Sequence, residues 1–320
     1  MRAFVHSGEP VLKAIDSTDG PDPRLAEFRQ AVLLLPKGQG TDDYRQLRAA
    51  LDDLLHACGG GSLAWREASL LLDAAFLQDA QRNFGLLEWI RQEYLGRQDV
   101  DGFAAFWADV RRVLHPRTLS PHGYLTSLES RDSAQVWRDV GVLQEKLAAL
   151  GYVAFINSGT LLGVVRDGTF IAHDDDVDLA VVMHSDSVAG VAREWRRLKQ
   201  ALAASWLLDA EFERKGNTHC KIGCAGGASV DLFPAWLDGD RVWVWPYLAG
   251  GATRDQLLPL QASHQSGVRV YLPKRAEALL EHNYGADWRT PDPTFRFDWK
   301  RAGQQFEDFL AAHRSTRESP

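Results

Sequence analysis

The period of apolar positions along the chain changes once, near Gly151. From about residue 43 to about residue 150 the spacing is helical. Leu47, Leu51, Leu54 and Leu55 recur at threes and fours, which sets them on one helix face. Gly59-Gly60-Gly61 then stops that helix, and Ser62 stands where a cap for the next one belongs. Helical spacing also marks residues 65–77, 84–94 and 103–113. The segment opening with His115-Pro116 and closing with His122-Gly123 reads as a loop. Over residues 133–150, Val136, Val140, Leu143, Leu147 and Leu150 make one stripe. Gly151 follows at the position of a C-terminal glycine cap. Pro10, Gly20, Pro21 and Pro23 break any long element near the start.

Beyond Gly151 strands enter. Residues 152–156 and 177–183 read as strands, with a short helix over 160–166 between them. Asp186 is placed to cap a helix whose stripe is Val188, Val191, Trp195, Leu198 and Leu202. Strands are expected near 207–213, 219–224, 229–236 and 242–245, then one helix over 274–283. The class expected is α+β. A helical region takes residues 1–130, an α+β domain 131–312 and a mobile tail 313–320, with the joint inside residues 115–132. No internal repeat or low-complexity segment interrupts this plan.

Charge removes some functions from consideration. Lys and Arg number 36 against 43 Asp and Glu, a formal net charge of −7. A general nucleic-acid binder would be basic, so no nucleic-acid partner is expected, although a local basic pocket for phosphates stays open. Three cysteines, Cys58, Cys220 and Cys224, do not form a disulfide framework. No signal-peptide core opens the chain, and no run approaches the roughly 18 apolar residues of a membrane span. The expected setting is cytoplasmic, where nucleotide-activated donors are at hand; peripheral association with the inner membrane face remains open. Eleven tryptophans serve packing first, with a few rings able to cover a sugar or a cation.

The chemistry concentrates between Asn157 and Asp178. A strand, then Ser158-Gly159-Thr160, then a helix offers free N–H groups and a positive dipole end, which suits phosphate. The run Asp174-Asp175-Asp176-Val177-Asp178 then puts four carboxylates within a few residues. Asp176 and Asp178 are two apart, so on a strand both face one way. Two converging carboxylates suit magnesium or manganese. Asp174 shares that face if the strand begins early, whereas Asp175 is expected to point away. Asp178 lies inside an apolar run, where a carboxylate is costly unless paired or metal-bound. Asp231 is a lone acid in the apolar strand Val230-Asp231-Leu232-Phe233 and supplies a third carboxylate. Strand, glycine turn, helix, paired acids and a later lone acid form the pattern of a nucleotidyltransferase fold of polymerase-β type, with a mixed sheet core.

These residues carry a more specific resemblance. Gly159 to Gly163, Arg166, Gly168, Phe170-Ile171 and Asp174 to Asp178 are similar to the signature of the LicD family, which includes phosphocholine transferases and fukutin-related proteins. Val230 to Pro234 resembles the family's later acidic strand. Tyr284-Gly285 with Asp287 to Pro293 resembles its C-terminal motif. The resemblance covers roughly residues 135–300. One departure is His173, where the family commonly has Trp, which alters a pocket wall without removing a ligand. The N-terminal third carries no such likeness.

The resemblance implies transfer of a phospho-alcohol group, such as phosphocholine, ribitol phosphate or glycerol phosphate. The donor implied is a CDP-activated alcohol and the acceptor a sugar hydroxyl of a glycan or glycolipid. Asp176 and Asp178 become principal ligands of Mg2+ or Mn2+, with Asp174 beside them. Asp231 becomes a further ligand or the base. Ser158, Gly159 and Thr160 line the phosphate turn. Arg166 serves either a phosphate or a salt bridge, and Lys221, on the same strand face as His219, either a second phosphate or solvent. His219, Cys220 and Cys224 fall short of the four ligands of a structural zinc. Two other readings remain: a nucleotidyltransferase, which releases pyrophosphate in place of CMP, and a non-catalytic scaffold.

Overall fold

The computed structural model describes residues 22–38, 40–57, 61–204 and 208–318. The expectations for Pro10, Gly20, Pro21, Cys58, Gly59 and Gly60 lie outside the described residues. The chain groups into two compact units: the first ends at Gln78 and resumes over Trp89–Val113, and the second takes Asp79–Glu88 and everything from Leu114.

The first unit is helical, built from α1 (Pro23–Leu33), α2 (Thr41–Ala57), α3 (Leu63–Ala75), part of α4 (Ala80–Gly96) and α5 (Val100–Leu114). Asp22 caps α1 just before Pro23, whose missing N–H costs nothing there. Ser62 Oγ accepts from the Trp65 amide at 3.3 Å, as its position in the sequence predicts. α3 is the centre of this unit, with Leu70, Leu71 and Leu72 all buried. It also buries Glu67, which binds Arg29 at 2.8 Å and receives the Tyr94 hydroxyl. A buried charge persists only when paired in this way.

The second unit is a six-stranded mixed sheet with helices. Its chain order is β1 (Arg117–Ser120), β2 (Gly123–Thr126), α6 (Ser133–Ala149), β3 (Val153–Ile156), α7 (Ser158–Arg166), β4 (Asp176–Val182), α8 (Val188–Ala203), α9 (Ala210–Arg214), β5 (Cys220–Gly223) and β6 (Ser229–Asp238). β7 (Arg241–Val244), β8 (Leu248–Thr253), α10 (Arg254–Leu257), β9 (Gln261–Gln265), β10 (Val268–Leu272), α11 (Ala276–Tyr284), α12 (Trp299–Gln305) and α13 (Glu307–Glu318) complete it. The main sheet runs β3-β4-β6-β7-β8. β4 and β6 are parallel, while β3 is antiparallel to β4. β6 is long enough to divide its other edge, pairing β5 along Ser229–Leu232 and β7 along Ala235–Asp238.

Alternation along β4 and β6 sorts the two faces of the sheet. Leu179, Val181, Val230 and Leu232 join one large core with Val140 and Leu143 of α6 and Trp195 and Leu198 of α8. Trp236 extends that core against Phe309 of α13, ring centroids 5.0 Å apart. Phe155, Ala180, Ala235 and Val242 form a second core on the opposite face. The acidic positions of β4 continue the set that contains Ala180, so they lie on this second face.

Four expectations need correction. Residues 117–126 form a hairpin, where a loop was expected, and it belongs to the second unit. Residues 207–213 do not make a strand: Leu208 keeps one bridge to Ile222, and Asp209 then caps α9 by accepting from the Phe212 amide at 2.9 Å. The cap of α8 is Ser187 and not Asp186. The tail after His313 is helical to Glu318, with His313 itself buried. No helix among the described residues is long and apolar enough to cross a membrane.

Candidate metal–phosphate site

Sheet register assembles the site. Asp178 on β4 is the direct partner of Asp231 on β6, and Asp231 is in turn the partner of Lys221 on β5. Three charged side chains from three adjacent strands therefore share one face. Asp178 and Asp231 are each only 7% exposed. Asp176 sits two residues before Asp178 on the same face.

The turn into α7 is fitted to these acids. Asn157, at the N-cap, donates its amide to the Asp178 carbonyl at 3.0 Å. Gly159 donates its amide to Asp178 Oδ2 at 3.0 Å, and Thr160 Oγ1 accepts from the Asp178 amide at 2.8 Å. The Gly159 amide, expected from the sequence to be free for a phosphate, is here engaged by the acid. A Cβ on Gly159 would come within 2.5 Å of Asp174 Oδ2, so only glycine lets the helix approach so closely. Gly163 is required for a similar reason, because a Cβ there would meet the Thr169 carbonyl oxygen at 2.5 Å. Ser158 holds φ at +47° and meets the Tyr284 hydroxyl at 3.1 Å.

Asp175 corrects the sequence reading. It was expected to face away, but β4 begins only at Asp176, and the Asp174 amide bonds back to Ile171 at 3.0 Å. Strand alternation does not apply to a turn. Asp174, Asp175 and Asp176 consequently bring carboxylate oxygens within 4.8 Å of one another. That trio differs from the expected one of Asp176, Asp178 and Asp231.

The electrostatics follow from burial. The Asp174 carboxyl is pushed up to about 7, chiefly by burial and then by Asp175. Asp176 and Asp178 are raised well above the usual carboxylate range, again by burial first and then by neighbouring acids. Asp175 is raised by burial, with Lys221 opposing. Such a cluster is a poor anion store and a good cation site. The Lys221 ammonium lies 3.3 Å from the buried Asp231 Oδ1 and pairs with it. Hard oxygens in this number match Mg2+ or Mn2+.

The remaining candidates fall in different places. Lys221 Nζ is also 3.5 Å from Asp176 Oδ2, so it pairs with the acids and is not merely solvated. Burial pulls this ammonium down, yet Asp231 and Asp176 hold it above its usual value. His219 Nε2 lies 3.4 Å from Asp231 Oδ2, and its ring stacks on Phe233 at 4.9 Å. Cys220 faces the opposite core, where burial pushes its thiol up. Arg166 forms a bidentate pair with Asp167, both contacts at 2.8 Å, the salt-bridge alternative of the two. His173 is half-buried in the turn just before Asp174.

Asp175, Tyr247 and Tyr284 are site residues that sequence reasoning missed. Both tyrosine hydroxyls adjoin Ser158, and burial raises both well above the usual range, with Asp178 adding to the shift. Tyr284 had a signal, since it opens the C-terminal motif; Tyr247 had none. An aromatic wall continues outward from Tyr247 to Phe297 at 4.9 Å and from Phe297 to Trp299 at 5.0 Å. A separate cavity of about 690 Å3, bordered by Val153, Val182, Leu258 and Leu260 with Asp240 and Asp255 at its edge, touches none of the five site acids.

Residues 151–275 match the model of the LicD/FKTN/FKRP nucleotidyltransferase domain. The chain carries a LicD-family domain. No curated protein matches the chain. The LicD match starts at the glycine before β3, takes in all five acids and ends just ahead of α11. At the level of the family, it indicates transferase chemistry in glycan modification, with a nucleotide-activated donor.

Proposed function

We propose that this LicD-family domain is a divalent-metal-dependent transferase. It moves a phospho-alcohol group, such as phosphocholine, ribitol phosphate or glycerol phosphate, from a CDP-activated donor to a sugar hydroxyl. The acceptor is a glycan or glycolipid. One observation carries the reading: Asp174, Asp175 and Asp176 bring carboxylate oxygens within 4.8 Å of one another, next to Asp178 and Asp231, which pair across β4 and β6.

Asp176 and Asp178 are the principal holders of Mg2+ or Mn2+, with Asp174 and Asp175 beside them. When bound, the ion neutralises charge on the donor diphosphate and on the leaving CMP. The chain's own groups do the rest. The Gly159 amide and Thr160 hydroxyl keep Asp178 aimed at the centre of the cluster. The acceptor hydroxyl attacks the phosphorus that carries the alcohol. The bond from that phosphorus to the bridging oxygen breaks, and CMP departs with the electron pair. Asp231 takes the proton of the acceptor hydroxyl as it attacks. Trp299, 49% exposed at the end of the aromatic wall, offers a ring face to the acceptor sugar.

The test is a set of incubations of the full chain with Mg2+, a panel of CDP-alcohols and glycan acceptors. Release of CMP is expected with one donor. Release of pyrophosphate from a nucleoside triphosphate would replace this reading with nucleotidyl transfer. Asp176→Asn and Asp178→Asn should each lower turnover by about a thousandfold or more at unchanged circular dichroism. Retained activity in either variant overturns the assignment.

A further inference from the structure

We propose that the Lys221 ammonium is a built-in cation that fills the bridging place between Asp176 and Asp231, so that the site takes one divalent ion and not two. This rests on the metal reading above and goes beyond it in fixing the number of ions.

Strand register puts Lys221 there. It is the direct partner of Asp231 across the β5–β6 pair, and Asp231 is the partner of Asp178. Its Nζ lies 3.3 Å from Asp231 Oδ1, 3.5 Å from Asp176 Oδ2 and 3.5 Å from Ser229 Oγ. The ammonium also lies over the ring of Phe212, 5.8 Å from its centroid. Its side chain is 25% exposed, which holds it within the cluster and out of bulk solvent.

Sites with two ions place them roughly 3.5–4 Å apart, each bound by carboxylates that the pair shares. Asp176 and Asp231 are the two acids such a second ion would bridge. A divalent ion binds carboxylate oxygens at about 2.0–2.1 Å, so a bridging ion must stand between these two oxygens. The ammonium stands there already, and a divalent ion beside it would meet strong like-charge repulsion. On the other half of the cluster Asp178 Oδ2 accepts from the Gly159 amide, and Asp174 Oδ2 lies where a Cβ on Gly159 would fall. Asp231 Oδ1, more than nine-tenths buried, has the Lys221 ammonium 3.3 Å away in the place that a second ion would have used.

Mn2+ titration of the full chain, read by the paramagnetic resonance signal of the free ion, counts bound ions without turnover. One ion per wild-type chain and two per Lys221→Met chain are expected. Lys221→Arg keeps the charge and should stay at one. Two ions in the wild type, or one in Lys221→Met, overturn the inference and leave the metal reading standing. A second ion in Lys221→Arg overturns it as well and stays measurable should Lys221→Met fail to fold. No ion in any of the three would remove the metal reading itself.

Discussion

The amide of Gly159 donates to Asp178 Oδ2 at 3.0 Å, while a Cβ at Gly159 would stand 2.5 Å from Asp174 Oδ2 and oblige that carboxylate to move. Helix start and acidic strand are thus fitted to each other at a single residue. Gly159→Ala should leave the fold intact and push Asp174 out of place. Displacing a catalytic group by about 1 Å commonly costs on the order of a hundredfold, which is the loss of turnover expected. Steady-state CMP release checks it, with Mn2+ affinity as the companion measurement. Unchanged values for both would show that Asp174 yields freely.

The acids should make the metal-free protein sensitive to rising pH. Burial raises Asp174 to about 7 and lifts Asp176 and Asp178 well above 3.8, their ordinary value. The folded state therefore prefers these groups protonated. Their contribution is fully present below the ordinary carboxylate range and is lost as pH climbs through about 7. With chelator present, the melting temperature should fall between about pH 5 and pH 8, and saturating Mg2+ should flatten that slope. Scanning calorimetry at several pH values gives the answer; a metal-free melting temperature that rises with pH would contradict this account.

α13 is a structural part of the sheet unit. Phe309 packs on Trp236 at 5.0 Å and Phe306 on Trp243 at 5.5 Å, all near the end of the acid-bearing strand β6. Phe309→Ala should destabilise that unit by about 3–5 kcal/mol, the usual cost of emptying a buried aromatic site. Denaturant unfolding followed by tryptophan fluorescence would register it. A loss below about 1 kcal/mol would mean that the helix is loosely attached.

Much of the site was readable because chemistry and period agreed locally. Asp176 and Asp178 share a strand face by simple alternation, and a lone acid amid Val230, Leu232 and Phe233 has few explanations. The stripe of α6 was equally plain over its first four members, for Val136, Val140, Leu143 and Leu147 are all buried, whereas Leu150, expected to continue it, is the C-cap and 44% exposed. What escaped depends on backbone that leaves the regular periods. Asp175 converges because a turn precedes β4. Residues 117–126 pair as short strands right after a proline, which hides them from a pattern search. Tyr247 reaches Ser158 from a distant β-strand region, and no local spacing could announce that. Lys221 stood out as a strand residue, but its place between two acids depends on the pairing of β5 with β6.

The stretch that identifies the family and the body that makes it work have different limits. The match stops at residue 275, yet three braces come from beyond its ends. Leu128 holds the Asp174 carbonyl at 2.7 Å, Tyr284 meets the Ser158 hydroxyl at 3.1 Å, and Phe309 covers Trp236. A fragment trimmed to the recognisable segment would keep every acid while losing what sets their positions. Anyone shortening the gene should cut by the braces and not by the signature.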